Sequence, residues 1–436
     1  MSEEPPFAEA EAEAGESAAA QARAGIRVRL AELLGRDDPV LGPLVLSTAL
    51  ATLGRGVFLT ALVLYLTLIA RLTPEQIALA VAVSAVAGMA ASYLGGWLSD
   101  RVSARRITVA GQLVGSLVLI GYVWVDGVLP AIVVGSVSFF AGSMGHAASS
   151  AIIARGFEGP GRVRARAVMR TVTNVGIALG SAAAAIPILL STPEAYRIAL
   201  VVAALLSFVG ALPLLRLPPR VDAGGVRTAE EEAVAPVRGR SPWRDARYLA
   251  FVLLSSIFAI QFSVLDYAMP LWIAHATEAP IVVVSVLIIL NTVVVTSLTV
   301  PLSKGTDDVR RAGRVFAVAG VLMAAACVVY ALAAGAPVWL AILVLVLGAL
   351  AHALAEVLSQ AAGWGLSFEL ADPESAGAYQ GLVGMGWGVV SAVGPPVIAI
   401  TALQFGLPGW ILLGGIFLAS SLGILWIGRR AALATA

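Results

Sequence analysis

Two long apolar stretches of this chain meet at the polar segment Gly95-Gly96-Trp97-Leu98-Ser99-Asp100-Arg101-Val102-Ser103-Ala104-Arg105-Arg106. The segment is one of several basic gaps between apolar runs, and these alternate with gaps that carry almost no basic residues. Of the 28 Lys and Arg residues, 25 fall in the basic gaps, and only Arg71 and Arg197 fall in the others. Loops rich in Lys and Arg stay on the cytoplasmic side of a membrane. The pattern therefore predicts a multi-pass membrane protein with both termini in the cytoplasm.

The composition excludes an ordinary soluble domain. Hydrophobic residues make up 59% of the chain, charged residues make up 13%, and the mean hydropathy is +0.91. The single cysteine, Cys327, excludes a disulfide or a cysteine metal cluster, and the sequence carries no Walker loop or zinc-binding set. The net charge of +1 gives no indication of a nucleic-acid partner. We therefore expect no cofactor, no metal, no nucleic acid and no enzymatic activity.

Twelve apolar stretches are long enough to cross a bilayer. They lie at 41–69, 76–99, 106–125, 130–154, 168–190, 197–215, 248–274, 281–302, 314–334, 336–362, 379–401 and 408–428. This layout predicts an all-α membrane protein with two six-helix bundles related by a pseudo-two-fold axis. The predicted parts are a disordered cytoplasmic tail (1–35), a first bundle (36–216), a cytoplasmic linker (217–246), a second bundle (247–430) and a C-terminal tail (431–436).

The two halves of the chain repeat each other. A shift of about 206 residues places Gly142 and His146 on Gly348 and His352, inside the fourth span of each half. The same shift aligns Gly180 with Gly386, Arg55 with Gln261 and, with one residue of slip, Asp100 with Asp307. A constant offset across several landmarks indicates a duplication. Parallel six-span halves with a pathway between them are typical of transporters.

The segment between the second and third spans resembles the G-x-L-a-D-r-x-G-r-[KR] signature of the major facilitator superfamily. Its Gly, Leu, Asp and basic positions are present, whereas Ser103 and Ala104 replace a preferred glycine and a preferred basic residue. The resemblance in layout covers the chain from about residue 30 onward, and it implies two bundles that rock about a central site. In that family the segment joins the two halves on the cytoplasmic side when the cavity opens outward. Asp100 matches the carboxylate of this latch by position.

Seven residues are candidates for conformational gating. A carboxylate at the membrane face can accept hydrogen bonds from a helix N-terminus and pair with a guanidinium. Arg170 and Asn174 lie one helical turn apart in the fifth span, where they could bind a substrate anion or brace the gate. A solvated turn that serves only topology is the alternative for the loop. The gating candidates are Gly96, Asp100, Arg101, Arg105, Arg170, Asn174 and Asp307.

One basic residue, Arg55, lies outside every gap and inside the first span. It is about 14 residues, or roughly 20 Å, from the cytoplasmic end of that helix. A charge at this depth costs several kcal/mol unless it is paired or hydrated. Asp266, Glu356 or an acidic substrate could supply the partner. A purely structural ion pair is the alternative to a role in transport.

A polar stripe is predicted on the tenth span, where His352, Glu356 and Gln360 recur every four residues. Facing a cavity, Glu356 could take up and release a proton. His146 and His352 are possible proton partners, although a lone histidine between helices more often serves as a hydrogen-bonding residue. Asp266 could hydrate only the outer vestibule, and Trp387 either packs in the bundle or faces the pathway. The pathway candidates are Arg55, His146, Gln261, Asp266, His352, Glu356, Gln360 and Trp387.

The expected function is secondary active transport in a bacterial inner membrane by a monomer that binds a small-molecule substrate, with protons as the coupling ion. The resemblance to drug-exporting members of the family favours efflux by antiport. The alternatives are an uptake permease for an anionic metabolite, a lipid flippase, and a membrane enzyme or sensor on the same scaffold. The excess of Arg over Lys favours a GC-rich bacterial genome.

The predicted topology can be tested with single cysteines at Gly225 and Glu278, after Cys327 is replaced. An impermeant thiol reagent should label the Glu278 position on intact cells, because its loop is predicted to face outward. The Gly225 position should react only after the cells are permeabilised. Labelling of intact cells at Gly225 with none at Glu278 would reverse the orientation.

Overall fold

The computed structural model describes residue 35 and residues 37–222 and 239–434. Two predicted segments lie largely outside the described residues. They are the N-terminal tail, of which only residue 35 is described, and most of the linker, including Gly225. Every regular element in the described ranges is helical. The twelve helices that could cross a membrane are α1 (Leu41–Leu68), α2 (Glu75–Ser99), α3 (Ala104–Trp124), α4 (Val128–Gly156), α5 (Pro160–Leu190), α6 (Pro193–Arg216), α7 (Ala246–Ala276), α8 (Val283–Leu302), α9 (Val309–Ala331), α10 (Val338–Glu369), α11 (Pro373–Leu403) and α12 (Leu407–Leu433). The predicted fold class is confirmed.

Regular structure extends into the predicted linker and the predicted C-terminal tail. Short 3-10 turns at Pro219–Val221 and Pro242–Arg244 lie inside the predicted linker. The last helix continues to Ala434, beyond the predicted end of the bundle at residue 430. Glu278, chosen for labelling, is exposed in the connection between α7 and α8.

Local capping interactions explain where several helices begin. The Thr73 side chain accepts a hydrogen bond from the Gln76 amide, and the Gln76 side chain accepts one from the Thr73 amide, so α2 begins at a capping box. The Ser103 hydroxyl accepts a hydrogen bond from the Arg106 amide (3.1 Å) at the start of α3. Serine at this position, where the family signature prefers glycine, therefore acts as an N-cap.

Two of the membrane-spanning helices contain π-helical turns. One covers Val264–Ala268 in α7 and contains Asp266, and the other covers Ala399–Leu403 in α11. The second turn follows Pro395 and Pro396, whose rings cannot continue a regular α-helical ladder. Such π-turns often mark functional sites in helices.

The two halves meet through pairs of helices that the repeat relates to each other. Contacts between the halves join α2 with α11, α4 with α11, and α5 with α8 and α10. A two-fold relation exchanges α2 with α8 and α5 with α11, so the α2–α11 and α5–α8 crossings are equivalent positions in the fold. The α2–α11 crossing is so close that a Cβ atom on residue 96 would overlap the carbonyl oxygen of Gly377. Glycine at position 96 therefore allows the two helices to approach.

An apolar cluster also joins the halves on one face of the molecule. It includes Val40, Ile153 and Leu217 from the first half, and Phe368 and Ala376 from the second. This is the face that carries the basic gaps, and we call it the arginine-rich face. The buried cluster closes the space between the halves on this face.

Candidate functional site

Asp100 links the two halves at the arginine-rich face. It follows the last residue of α2, and its carboxylate accepts hydrogen bonds from the backbone amides of Gly377 and Ala378, both at 2.7 Å. These amides belong to the first turn of α11, where unpaired N–H groups and the helix dipole favour a negative charge. The carboxylate also forms an ion pair with Arg155, and its side chain is only 6% exposed. The structure thus places the Asp100 carboxylate at the N-terminus of a helix in the opposite half.

Arg155, at the end of α4, is a partner that the sequence pattern did not single out. Besides the ion pair with Asp100, it donates a hydrogen bond to the carbonyl oxygen of Ser99 (3.1 Å). Burial raises the pKa of the Asp100 carboxyl, whereas Arg155 and the Gly377 and Ala378 amides favour its charged form. The charged state of Asp100 therefore depends on donors from both halves.

Two of the three basic gating candidates, Arg101 and Arg105, hydrogen-bond to nearby parts of the first half and not to the Asp100 carboxylate. The Arg101 guanidinium lies 3.8 Å from the centre of the Trp97 ring and donates to the Trp97 carbonyl oxygen (3.0 Å). Arg105 donates to the carbonyl oxygen of Leu217 (3.0 Å), and its amide donates to Asp222 (3.0 Å). These contacts fasten the segment that follows α6 to the start of α3.

The repeated carboxylate, Asp307, has no equivalent latch. One carboxylate oxygen of Asp307 lies 3.9 Å from the point where a Cβ atom on residue 159, just before α5, would stand. Within the described residues, the Asp307 carboxylate accepts no hydrogen bond. An ion pair between Arg162 and Glu369 (3.1 Å) joins the halves nearby. Only one of the two repeated loops therefore carries the full set of donors.

A second link between the halves lies deeper in the bundle. Arg170 in α5 donates to the Glu356 carboxylate in α10 (3.3 Å), and Asn291 in α8 donates to its other oxygen (3.1 Å). Glu356 is 5% exposed. Among the described residues, neither Glu356 nor Asp266, two of the three partners considered for Arg55, forms an ion pair with it. Asn291, the only carboxamide in apolar α8, could have been noticed from the sequence.

Basic side chains from three helices of the first half approach one another. Arg55 in α1 and His146 in α4 are both exposed although they lie near the middle of their helices. His146 is within electrostatic range of Arg55 and of Arg166 in α5. Arg166 donates to the hydroxyl of Ser150 (2.8 Å). We call Arg55, His146 and Arg166 the basic cluster.

The second half places acidic and aromatic groups around Arg170, one helical turn from Arg166 on α5. Asp266, exposed in the π-turn of α7, is within electrostatic range of Glu356 and Arg170. The Arg170 guanidinium lies 5.6 Å from the centre of the Phe262 ring, and Phe262 packs on Trp387 with ring centres 5.1 Å apart. Trp387 is 39% exposed and borders the site.

The predicted stripe on α10 does not face one cavity. His352 is 2% exposed and lies 3.4 Å from the hydroxyl of Tyr330, inside the second bundle. Gln261 is 1% exposed and donates to Ser359 (3.0 Å) in the same bundle. Residues four apart on an α-helix differ by about 40° in direction, so His352 and Glu356 contact different neighbours. Gln360 is half-buried, and so is Asn174.

The fold is shared with solved structures at low sequence identity. The human organic anion transporter MFSD10 (TETRAN) aligns with a TM-score of 0.67 and 14% identity over 88% of this chain and 99% of its own. The proton:xylose symporter XylE aligns with a TM-score of 0.64 and 14% identity over 88% and 94%. A bacterial homologue of the iron transporter ferroportin, in an outward-facing state, aligns with a TM-score of 0.68 and 12% identity over 90% and 98%. Identities this low show similarity of fold alone.

No curated protein sequence matches the chain. The family model described as Major Facilitator Superfamily matches residues 44–395. Because this match covers most of the sequence, the chain belongs to the major facilitator superfamily of membrane transporters.

Proposed function

We propose that this transporter exports a small organic molecule from the cytoplasm of a bacterium in exchange for protons. The ion pair between Arg170 and Glu356 carries the proposal. It connects the two halves, so rotation of one half against the other changes the partners of a nearly buried carboxylate. A carboxylate that loses its cation in a poorly hydrated site takes up a proton to avoid an unpaired charge. Proton binding and the movement of the halves are thereby coupled.

The closed latch supports an outward-facing assignment for this state. Asp100 holds α11 against α2 on the arginine-rich face, which is cytoplasmic in the proposed orientation. Hydrogen bonds to a charged group contribute about 1.5–3 kcal/mol each, so the two amide bonds together contribute roughly 3–6 kcal/mol. One charge crossing a 100 mV potential supplies about 2.3 kcal/mol. The inward-facing state must therefore form contacts of similar strength for the cycle to run in both directions.

Flux measurements in liposomes test the proposed function. Ligands are first identified by thermal shift of the purified protein, and each is then followed in proteoliposomes with an imposed pH difference. We expect substrate to move against its own gradient while protons move in the opposite direction. If substrate moves in the same direction as protons, the protein is a proton-driven uptake system and not an exporter. If the pH difference does not affect transport, the proposal of proton coupling is wrong.

Asp100→Asn should open the arginine-rich face. The amide keeps the size of the side chain but loses the negative charge that the Gly377 and Ala378 amides and Arg155 stabilise. We expect the inward-open population to rise about tenfold or more, with transport impaired and ligand binding retained. Distances between spin labels across this face measure the shift. Asp307→Asn is the matched control, since Asp307 accepts no hydrogen bond from a described residue, and unchanged distances in Asp100→Asn would contradict the latch.

Glu356→Gln should uncouple transport from protons. Glutamine mimics the protonated carboxyl group and keeps its volume, but it carries no charge to pair with Arg170. We expect a folded protein that still exchanges substrate across the membrane but no longer accumulates it in response to a pH difference. Glu369→Gln is the control, because it removes the ion pair with Arg162 at the surface. Accumulation by Glu356→Gln at the wild-type rate would exclude Glu356 as the coupling group and make Asp266 the next residue to test.

A further inference from the structure

We propose that the transported molecule is an organic anion and that its anionic group binds at the basic cluster of Arg55, His146 and Arg166. The inference rests on the transport function proposed above and adds the class of substrate. A carboxylate or sulfonate suits the cluster, because a guanidinium forms paired hydrogen bonds with such groups.

The packing of α1 fixes where Arg55 points. The glycines on either side of it, Gly54 and Gly56, lie against the backbones of α6 and α5. Arg55 projects between these two contacts and is exposed, within electrostatic range of His146 on α4. A side chain directed into lipid would not come close to α4 and Arg166 in the same half. Arg55 and His146 therefore share an internal space between the helices.

No carboxylate balances this cluster. Within the described residues of the first half, every Asp and Glu lies at a helix end or in a connection. The acids of the central region, Asp266 and Glu356, both belong to the second half, and Glu356 is already paired with Arg170. The Arg166 side chain donates a hydrogen bond to a neutral hydroxyl, that of Ser150. Because uncompensated charge in a membrane interior costs several kcal/mol, an anion supplied from outside the chain stabilises this arrangement.

The surroundings indicate that the anion has an apolar body. Phe262 and Trp387 present aromatic rings beside Arg170, which lies one helical turn from Arg166 on α5. Asp266 and Glu356 lie on that same side and repel a second negative charge. A monoanion with an aromatic or aliphatic body satisfies both sides of the space. An inorganic anion would use the basic cluster but not the aromatic surface.

A cysteine at Gly142 can report the electrostatic potential of this space. Gly142 is exposed one helical turn from His146, and a Cβ atom there meets no other atom within 4 Å. With Cys327 replaced by alanine, labelling rates are compared for an anionic sulfonatoethyl methanethiosulfonate and its cationic trimethylammonium analogue. Ala334→Cys, exposed in the connection between α9 and α10, is the control for the intrinsic ratio of the two rates. We expect the anionic reagent to be favoured at Gly142→Cys by about tenfold relative to the control.

Competition identifies the kind of anion. Benzoate should slow labelling at Gly142→Cys, whereas neutral benzamide and inorganic sulfate should protect much less. Arg55→Gln and Arg166→Gln should each reduce both the preference for the anionic reagent and the protection by benzoate, and Arg55→Lys should retain most of both. Size-exclusion chromatography shows whether any of the arginine variants is misfolded. The labelling and protection of Gly142→Cys with both arginines intact do not depend on those variants.

Several outcomes would overturn the inference. A cationic reagent that reacts as well at Gly142→Cys as at the control, or no reaction with either reagent, would exclude a water-filled basic space. Equal protection by benzoate and benzamide would exclude an anion site, and equal protection by sulfate would exclude recognition of the organic body. These measurements need no pH gradient. Failure of proton-driven flux with the anion preference intact would therefore reject the proposed function alone, and the reverse result would reject only the substrate class.

Discussion

A charge inside a membrane protein needs a partner or water, and this constraint determines most of the arrangement described above. It concentrates 25 of the 28 basic residues in one set of connections. It also explains why Asp100 lies at a helix N-terminus beside Arg155 and why Glu356 receives donors from two other helices. The cost of an unpaired charge is several kcal/mol, which is comparable with the stability of a conformational state. Charged groups at the contact between the halves can therefore decide which state is populated.

The links made by Asp100 and Glu356 each join a carboxylate from one half to donors from the other. The Asp100 carboxylate belongs to the first half and binds α11 of the second, while Glu356 belongs to the second half and binds Arg170 of the first. Rotation of the halves changes both sets of contacts at once. The close α2–α11 crossing at Gly96 and Gly377 allows no partial separation without loss of packing. The rocking of the halves that we propose would therefore exchange these contacts between discrete states.

The sequence was sufficient for the twelve spans, and it singled out Asp100, whose carboxylate contacts α11. The spans are recognised from the length of each apolar stretch, and Asp100 is recognised from a motif within one short segment. Neither requires knowledge of how the helices pack. The partners of Glu356 could not be predicted, because Arg170 and Asn291 reach it from two other helices and the sequence does not give the rotation of each helix about its axis. The same limit explains His352, which the four-residue spacing groups with Glu356 although Tyr330 holds it inside the bundle. Arg155 lies in a gap with many other basic residues, so the sequence does not distinguish it from the arginines that set the membrane orientation.

The repeat has kept its packing positions and diverged in its polar ones, and transport depends on that divergence. Arg55 and His146 are exposed, whereas their counterparts Gln261 and His352 are buried and hydrogen-bonded within the second bundle. In the anion site that we propose, the first half contributes positive charge and the second half contributes negative charge. If an anion leaves while a proton enters, both movements carry charge in the same direction across the membrane. Each charge contributes about 2.3 kcal/mol per 100 mV, so the pair contributes roughly twice that amount. This energy is of the same order as the two amide hydrogen bonds of Asp100, so the exchange that we propose would supply enough energy to open and close the arginine-rich face.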